Sequence, residues 1–200
     1  MARPRIHDAG LRQALLEATA ASVAADGVAA LNLRQLAQQC GTSTSAVYSL
    51  FGSKDALLQA TARFSSESFR AAQEAVPETD SPLQDLHALG LAYHDWAIAN
   101  PALFQLMFSG VLDGYRGDPA ALESGMAAIE PLESAVRRGL RAGVLEAGSE
   151  RHVVLALWAL VHGLTTLELT GDCPPAEAGA EVWHAALAAA LRGWQPQRPD

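Results

Sequence analysis

The stretch Asn32–Lys54, NLRQLAQQCGTSTSAVYSLFGSK, reads as two short helices joined by a tight turn. Asn32 is a good N-cap for a helix that carries Leu33, Leu36, Ala37 and Cys40 on one apolar face. Gly41 can take positive φ and end that helix. Thr42 and Ser43 then offer side-chain oxygens to cap a second helix at once. That second helix has Ala46, Val47, Leu50 and Phe51 to bury. Its other face, Thr44, Ser45, Tyr48 and Ser49, is small, hydrogen-bonding and aromatic, without charge. A helix this short does not stand alone in water. Neighbouring helices must hold it, and its polar face is left to meet something outside the fold.

A DNA major groove fits that face. The groove is about 12 Å wide and admits one α-helix, and small polar side chains let the backbone come close to base edges. In a helix-turn-helix the second helix reads bases from its N-terminal residues while the first crosses the sugar-phosphate backbone. The residues expected in the groove are Thr44, Ser45, Tyr48 and Ser49. Backbone contacts are expected from Asn32, Arg34, Thr42, Ser43, Tyr48 and Lys54. A surface helical hairpin with a Ser/Thr-rich exposed side is the plainer alternative.

These residues resemble the DNA-binding domain of TetR-family transcriptional regulators. The matching positions are Asn32 (where a threonine is usual), Leu36, Ala37, Gly41, Ser43, Val47, Tyr48, Phe51, Lys54 and Leu57. Cys40 stands where alanine is common, Thr42 where valine is, and Leu50 where a polar residue is, which leaves one backbone contact unprovided. The resemblance covers about residues 11–58. It implies a helix-turn-helix DNA-binding domain of a transcriptional regulator.

Composition sets the outer limits. Half of the 200 residues are hydrophobic, which provides for a sizeable core. Alanine and leucine dominate and no period-2 run stands out, so the chain is expected to be all-α. The net charge of −8 argues against indiscriminate nucleic-acid binding, but the charge is uneven. Up to residue 60 there are five bases against four acids; beyond it there are nine against eighteen. A near-neutral head on an acidic body suits selective DNA contact, because the body repels non-target DNA. Cys40 and Cys173 lack metal-ligand spacing and read as reduced intracellular thiols. The N-terminus lacks the apolar core of a signal peptide, and the apolar run Val153–Val161 falls short of a membrane span, so a cytoplasmic protein with no membrane partner is expected.

Along the chain, Arg3 and Arg5 resemble a basic arm, and a first helix starts at His7 or Asp8 and ends at Asp26-Gly27. Ser53 caps a fourth helix with Asp55 in its first turn, and this rod runs from the head into the body. The segment 74–81 is turn-rich. Ser81-Pro82, Asn100-Pro101 and Asp118-Pro119 are cap-plus-proline starts, and Pro131 is expected to split or kink the helix after 119. Ser149 caps a helix ending at Gly171, and a last helix spans about residues 176–192 after Pro174-Pro175.

The body reads as built for two tasks. The nearly all-round apolar Val153–Val161 and the alanine-rich last helix, with Val182, Ala186, Leu187, Ala190 and Leu191, suit a four-helix interface between two chains. Tyr93, Trp96, Phe104, Met107, Phe108 and Trp158 gather bulky aromatic and soft side chains; with His94, His162 and Glu168 as polar groups they form a candidate pocket for an apolar or aromatic effector. Plain core is the competing reading of that aromatic set. Trp158, His162 and Gly163 also resemble the Trp and His-Gly pair in one type of TetR carboxy-terminal domain. No nucleophile elbow, phosphate loop or zinc-binding His pair occurs, and His94 and Asp95 leave a helix about 100° apart. No catalysis, metal or cofactor is expected.

The expected architecture is all-α with about nine helices: a helix-turn-helix DNA-binding domain over 1–52, and a ligand-binding and dimerisation domain over 53–200 whose tail, 195–200, is disordered. The expected function is a ligand-responsive homodimeric repressor. A constitutive DNA-binding regulator and an acidic helical protein-binding module are the alternatives.

Overall fold

A computed structural model describes residues 5–112, 127–172 and 180–196. Among them every regular element is helical: α1 (Arg5–Asp26), a 3-10 turn (Val28–Ala30), α2 (Leu33–Gln39), α3 (Thr44–Phe51), α4 (Lys54–Glu74), α5 (Pro82–Ala99), α6 (Pro101–Phe108), α7 (Glu130–Arg141), α8 (Glu150–Thr170) and α9 (Ala180–Gly193). Arg3, the start at Asp118-Pro119, Cys173, Pro174-Pro175 and residues 176–179 and 197–200 lie outside the described residues.

The chain packs as two compact units, Met1–Ser68 with Asn100–Gly125, and Phe69–Ala99 with Met126–Asp200. The division between these units falls inside α4. The physical reason is that Leu57, Leu58, Thr61 and Ser65 are all buried, so the first half of α4 completes the head. α6 joins this first unit as well: it packs along α1, where the Gln105 amide donates to the Ala24 carbonyl at 3.3 Å.

In the first unit, Leu15 and Leu16 of α1, Leu36 and Ala37 of α2, Val47 and Phe51 of α3 and Leu57 of α4 form one buried cluster. The Arg12 guanidinium lies 4.6 Å from the Phe51 ring centroid and covers the edge of this core. α1 starts at Arg5, ahead of the expected His7 or Asp8.

The second unit is made by the last turns of α4 with α5, α7, α8 and α9. Leu86, Leu89, Val136, Val153, Leu157 and Leu191 are its centre. Pro131 sits in the first turn of α7, just after the turn at 128–129, where its missing N–H costs nothing; the helix expected after 119 lies outside the described residues up to 126. Gly171 ends α8 as expected, in the left-handed region at φ 78, whereas Ser149 precedes the helix without making a side-chain cap bond. Asn100 precedes α6 without making a side-chain cap bond.

α8 corrects one expectation. It is 21 residues long with a hydropathy of 1.6 over its most apolar window, so by length and composition it could cross a membrane. The run Val153–Val161 understates it, because Leu164, Leu167 and Leu169 continue the apolar character past His162. In the second unit Val153, Val154, Leu157, Val161 and Thr165 face the core, while Leu155 and Leu167 are exposed.

Candidate functional site

The turn between α2 and α3 is fixed by local bonds. The Asn32 side chain accepts from the backbone N–H of Arg34 at 2.9 Å and of Gln35 at 3.2 Å, which caps α2. Gly41 turns the chain at φ 64, and the Thr42 N–H donates to the Ala37 carbonyl at 2.8 Å, closing the end of α2. Ser43, not Thr42, is the α3 cap: its Oγ accepts from Ala46 N–H at 3.2 Å and pairs with Ser45 Oγ at 2.9 Å. Ser53 Oγ accepts from Ala56 N–H at 3.0 Å and caps α4.

On α3 the buried and open faces separate cleanly. Val47 and Phe51 are buried and Leu50 is half-buried, whereas Ser45, Tyr48 and Ser49 are exposed and Thr44 is half-buried. Thr44 and Tyr48, and Ser45 and Ser49, are each four residues apart, so the four side chains make one continuous surface. Tyr48 is 50% exposed, large for an aromatic ring that finds no place in the core. Asn32 and Arg34 are exposed at the start of α2. Lys54 is only partly so: its ammonium donates to the Leu31 carbonyl at 2.8 Å and ties the start of α4 to the end of the 3-10 turn. One of its three donors is therefore already committed inside the head. The Cys40 thiol sits 3.6 Å from the Ala14 carbonyl, and burial pushes its pKa up, which makes it a packing residue rather than a reactive one.

The second unit holds a small cavity of about 40 Å³ between α4, α5, α7, α8 and α9, room for about three water molecules. Phe69, Leu89, Tyr93, Leu132, Leu157 and Leu187 make much of its wall. Of the expected pocket residues, Tyr93 and Trp158 line it. The Tyr93 hydroxyl is 2.9 Å from His162 Nδ1 and is also hydrogen-bonded by Trp158. An indole N–H can only donate, so the tyrosine oxygen accepts from Trp158 and passes its own proton toward His162 Nδ1. Burial raises the Tyr93 pKa and lowers that of His162, so both stay neutral near pH 7.

The other expected pocket residues lie elsewhere. Trp96 packs at 5.0 Å on Phe69, next to Tyr93 on the same ring. His94 Nε2 is 2.9 Å from Glu168 Oε2, which also accepts from the Trp183 indole at 3.3 Å. The Asp95 carboxylate does reach His94 Nδ1, at 3.3 Å, despite the angle between neighbouring helical positions, because its exposed side chain curls back. Phe104, Met107 and Phe108 belong to the first unit, where the Phe104 and Phe108 rings meet tilted, with centroids 5.0 Å apart. The sequence reading missed Phe69, Gln73 and Gly90 as lining residues. Phe69 and Gln73 are one helical turn apart, so an apolar stripe along α4 with an uncharged polar residue at its end was the available signal.

Two family models match the chain, the TetR-family bacterial regulatory proteins over residues 15–61 and the tetracyclin repressor-like C-terminal domain over residues 86–190. A helix-turn-helix transcriptional regulator of Mycobacterium bovis is 34% identical over 98 residues, covering 46% of this chain and 41% of its own length; one of Mycobacterium tuberculosis matches to the same extent. The chain thus spans about two fifths of the curated relatives it matches. A solved Rhodococcus sp. RHA1 protein of unknown function is similar at 30% identity and TM-score 0.74, covering 93% of this chain and 96% of that one. A TetR-family regulator from Marinobacter aquaeolei VT8 shares the fold at TM-score 0.79 and 20% identity, over 97% and 100% of the two chains. With the N-terminal model on the helix-turn-helix and the C-terminal model on the helices that enclose the cavity, the chain belongs to the TetR family of bacterial regulatory proteins.

Proposed function

We propose that this TetR-family protein is a cytoplasmic transcriptional repressor that binds a palindromic DNA operator as a homodimer and is released by a small, mostly apolar molecule. The observation that carries the DNA reading is the uncharged, exposed α3 face of Thr44, Ser45, Tyr48 and Ser49 opposite buried Val47 and Phe51. Asn32, Arg34, Thr42, Ser43 and Lys54 flank it and supply backbone contacts. Dimerisation uses the exposed apolar side chains of α8 and α9, Leu155, Leu167 and Val182, which are 56%, 47% and 41% exposed in one chain. Two-fold pairing suits a palindrome, with the two reading helices about 34–36 Å apart on successive grooves.

The effector binds in the cavity of the second unit. α4 begins at Lys54 in the DNA-reading unit and ends beside the cavity with Phe69 and Gln73, so a ligand that spreads the cavity acts directly on that helix. A coupling of about 1–3 kcal/mol would lower operator affinity about 5–150-fold. A second reading, a regulator with no effector, draws support from the small cavity.

Selection of bound sites from random duplex DNA tests the proposal. A palindromic motif should emerge, and Tyr48→Ala should weaken binding to it about tenfold with no loss of thermal stability. If no sequence is enriched, or Tyr48→Ala binds like the parent, the DNA reading fails.

A further inference from the structure

Gln73 stands out in the cavity wall. It is only 4% exposed, and its Nε2 has no hydrogen-bond partner among the described residues. The other polar lining groups are occupied, since the Trp158 indole and the Tyr93 hydroxyl serve each other and His162. A buried N–H left unpaired is costly, and native structures seldom keep one without a use. A ligand that brings an acceptor oxygen into the cavity would supply the missing partner.

We infer that the effector is a neutral, compact, largely apolar molecule whose single carbonyl-type oxygen accepts a hydrogen bond from Gln73 Nε2; the inference rests on the effector reading above. Neutrality follows from the wall, which has no Lys, Arg or His among the described lining residues, so a carboxylate would be buried without a counter-charge. The small cavity sets compactness, and the half-buried Ile129 and Leu132 are the side chains at the wall that must give way. Because Gln73 is in the last turn of α4, the same bond that selects the ligand attaches it to the helix that starts in the DNA-reading unit.

Titration calorimetry of the full chain with acetophenone and ethylbenzene tests this, as the two differ by one carbonyl in place of one methylene. Acetophenone should bind about fivefold tighter, and in Gln73→Met the two should bind equally. Benzoate should bind at least tenfold more weakly than acetophenone. Without ligand, Gln73→Met should raise the melting temperature by about 2–4 °C, because it removes an unpaired buried donor. Equal affinities in the parent, a preference that survives Gln73→Met, tight benzoate binding or a lower melting temperature would each overturn the inference and leave the apolar-effector reading standing. No saturable binding of either neutral compound would bring down the effector reading, and this inference with it.

Discussion

At the scale of single residues, Asp85 is a buried charge tied into the second unit. It is 3% exposed, and its oxygens accept from the Thr79 N–H at 3.2 and 3.1 Å, from the Thr79 hydroxyl at 2.6 Å, and from the Arg138 guanidinium. Burial alone would raise its pKa, but the hydrogen bonds from Thr79 and Arg138, with the Arg138 charge, outweigh it and hold the carboxyl below the ordinary range. A carboxylate with a depressed folded pKa contributes stability that is complete above its unfolded value, near pH 4, and is lost as pH falls through the folded value. Asp85→Asn should therefore cost about 3 kcal/mol at pH 7, the lower end for a broken buried pair, because the Arg138 side chain is 25% exposed. Urea unfolding of parent and variant across pH checks this. The two stabilities should converge as pH falls through the folded Asp85 pKa, and a gap as wide in strong acid as at pH 7 would disprove the assignment.

At the scale of elements, two glycines set how closely helices approach. A Cβ on Gly139 of α7 would lie 2.6 Å from Leu145 Cδ1 and 2.9 Å from its Cγ, and Leu145 is itself buried in the core. Gly139 also anchors the loop that carries Leu145, since its carbonyl accepts from Val144 and Leu145 N–H at 3.0 and 3.1 Å. Alanine there gains about 1 kcal/mol of helix propensity, but overpacking costs about 1–3 kcal/mol. Gly90 of α5 has the methyls of Leu187 as its nearest neighbours, at 2.6 and 3.0 Å, and both residues line the cavity, so those side-chain ends have space to turn into. Thermal melts should thus rank Gly139→Ala as clearly less stable than the parent, by about 1 kcal/mol, and Gly90→Ala as close to it. The reverse order would show that α5 and α9, not α7 and its loop, are the tighter contact.

For the whole molecule, self-association and DNA affinity should stand or fall together. Leu155 is 56% exposed on α8, so Leu155→Arg should leave the fold intact yet make the protein monomeric in sedimentation. Operator affinity should then fall at least tenfold, because one half-site supplies only half the contacts. A variant that stays dimeric would place the interface elsewhere. Salt dependence follows from how few cations flank the α3 face. If Arg34 and Lys54 are the cations that each head of a dimer sets against phosphates, there are about four such contacts and a log–log salt slope of about −4 is expected. A slope near −10 would mean that bases beyond these two reach the DNA.

The sequence by itself determined several helix ends and the two faces of α3. Asn32, Ser43, Ser53, Gly41 and Gly171 act on backbone groups within about four residues, and an i, i+4 pattern fixes which side of a short helix is buried. That local information was enough to see the helix-turn-helix and the family. Only the tertiary structure decided the boundary inside α4, the departure of Phe104 and Phe108 from the expected pocket, the Arg138–Asp85 pair 53 residues apart and the Tyr93–His162 bond across 69. Gln73 became a candidate contact only when packing closed an apolar wall around it. Such contacts depend on which helices come to lie side by side, and hydrophobic burial, which drives that packing, has no direction of its own.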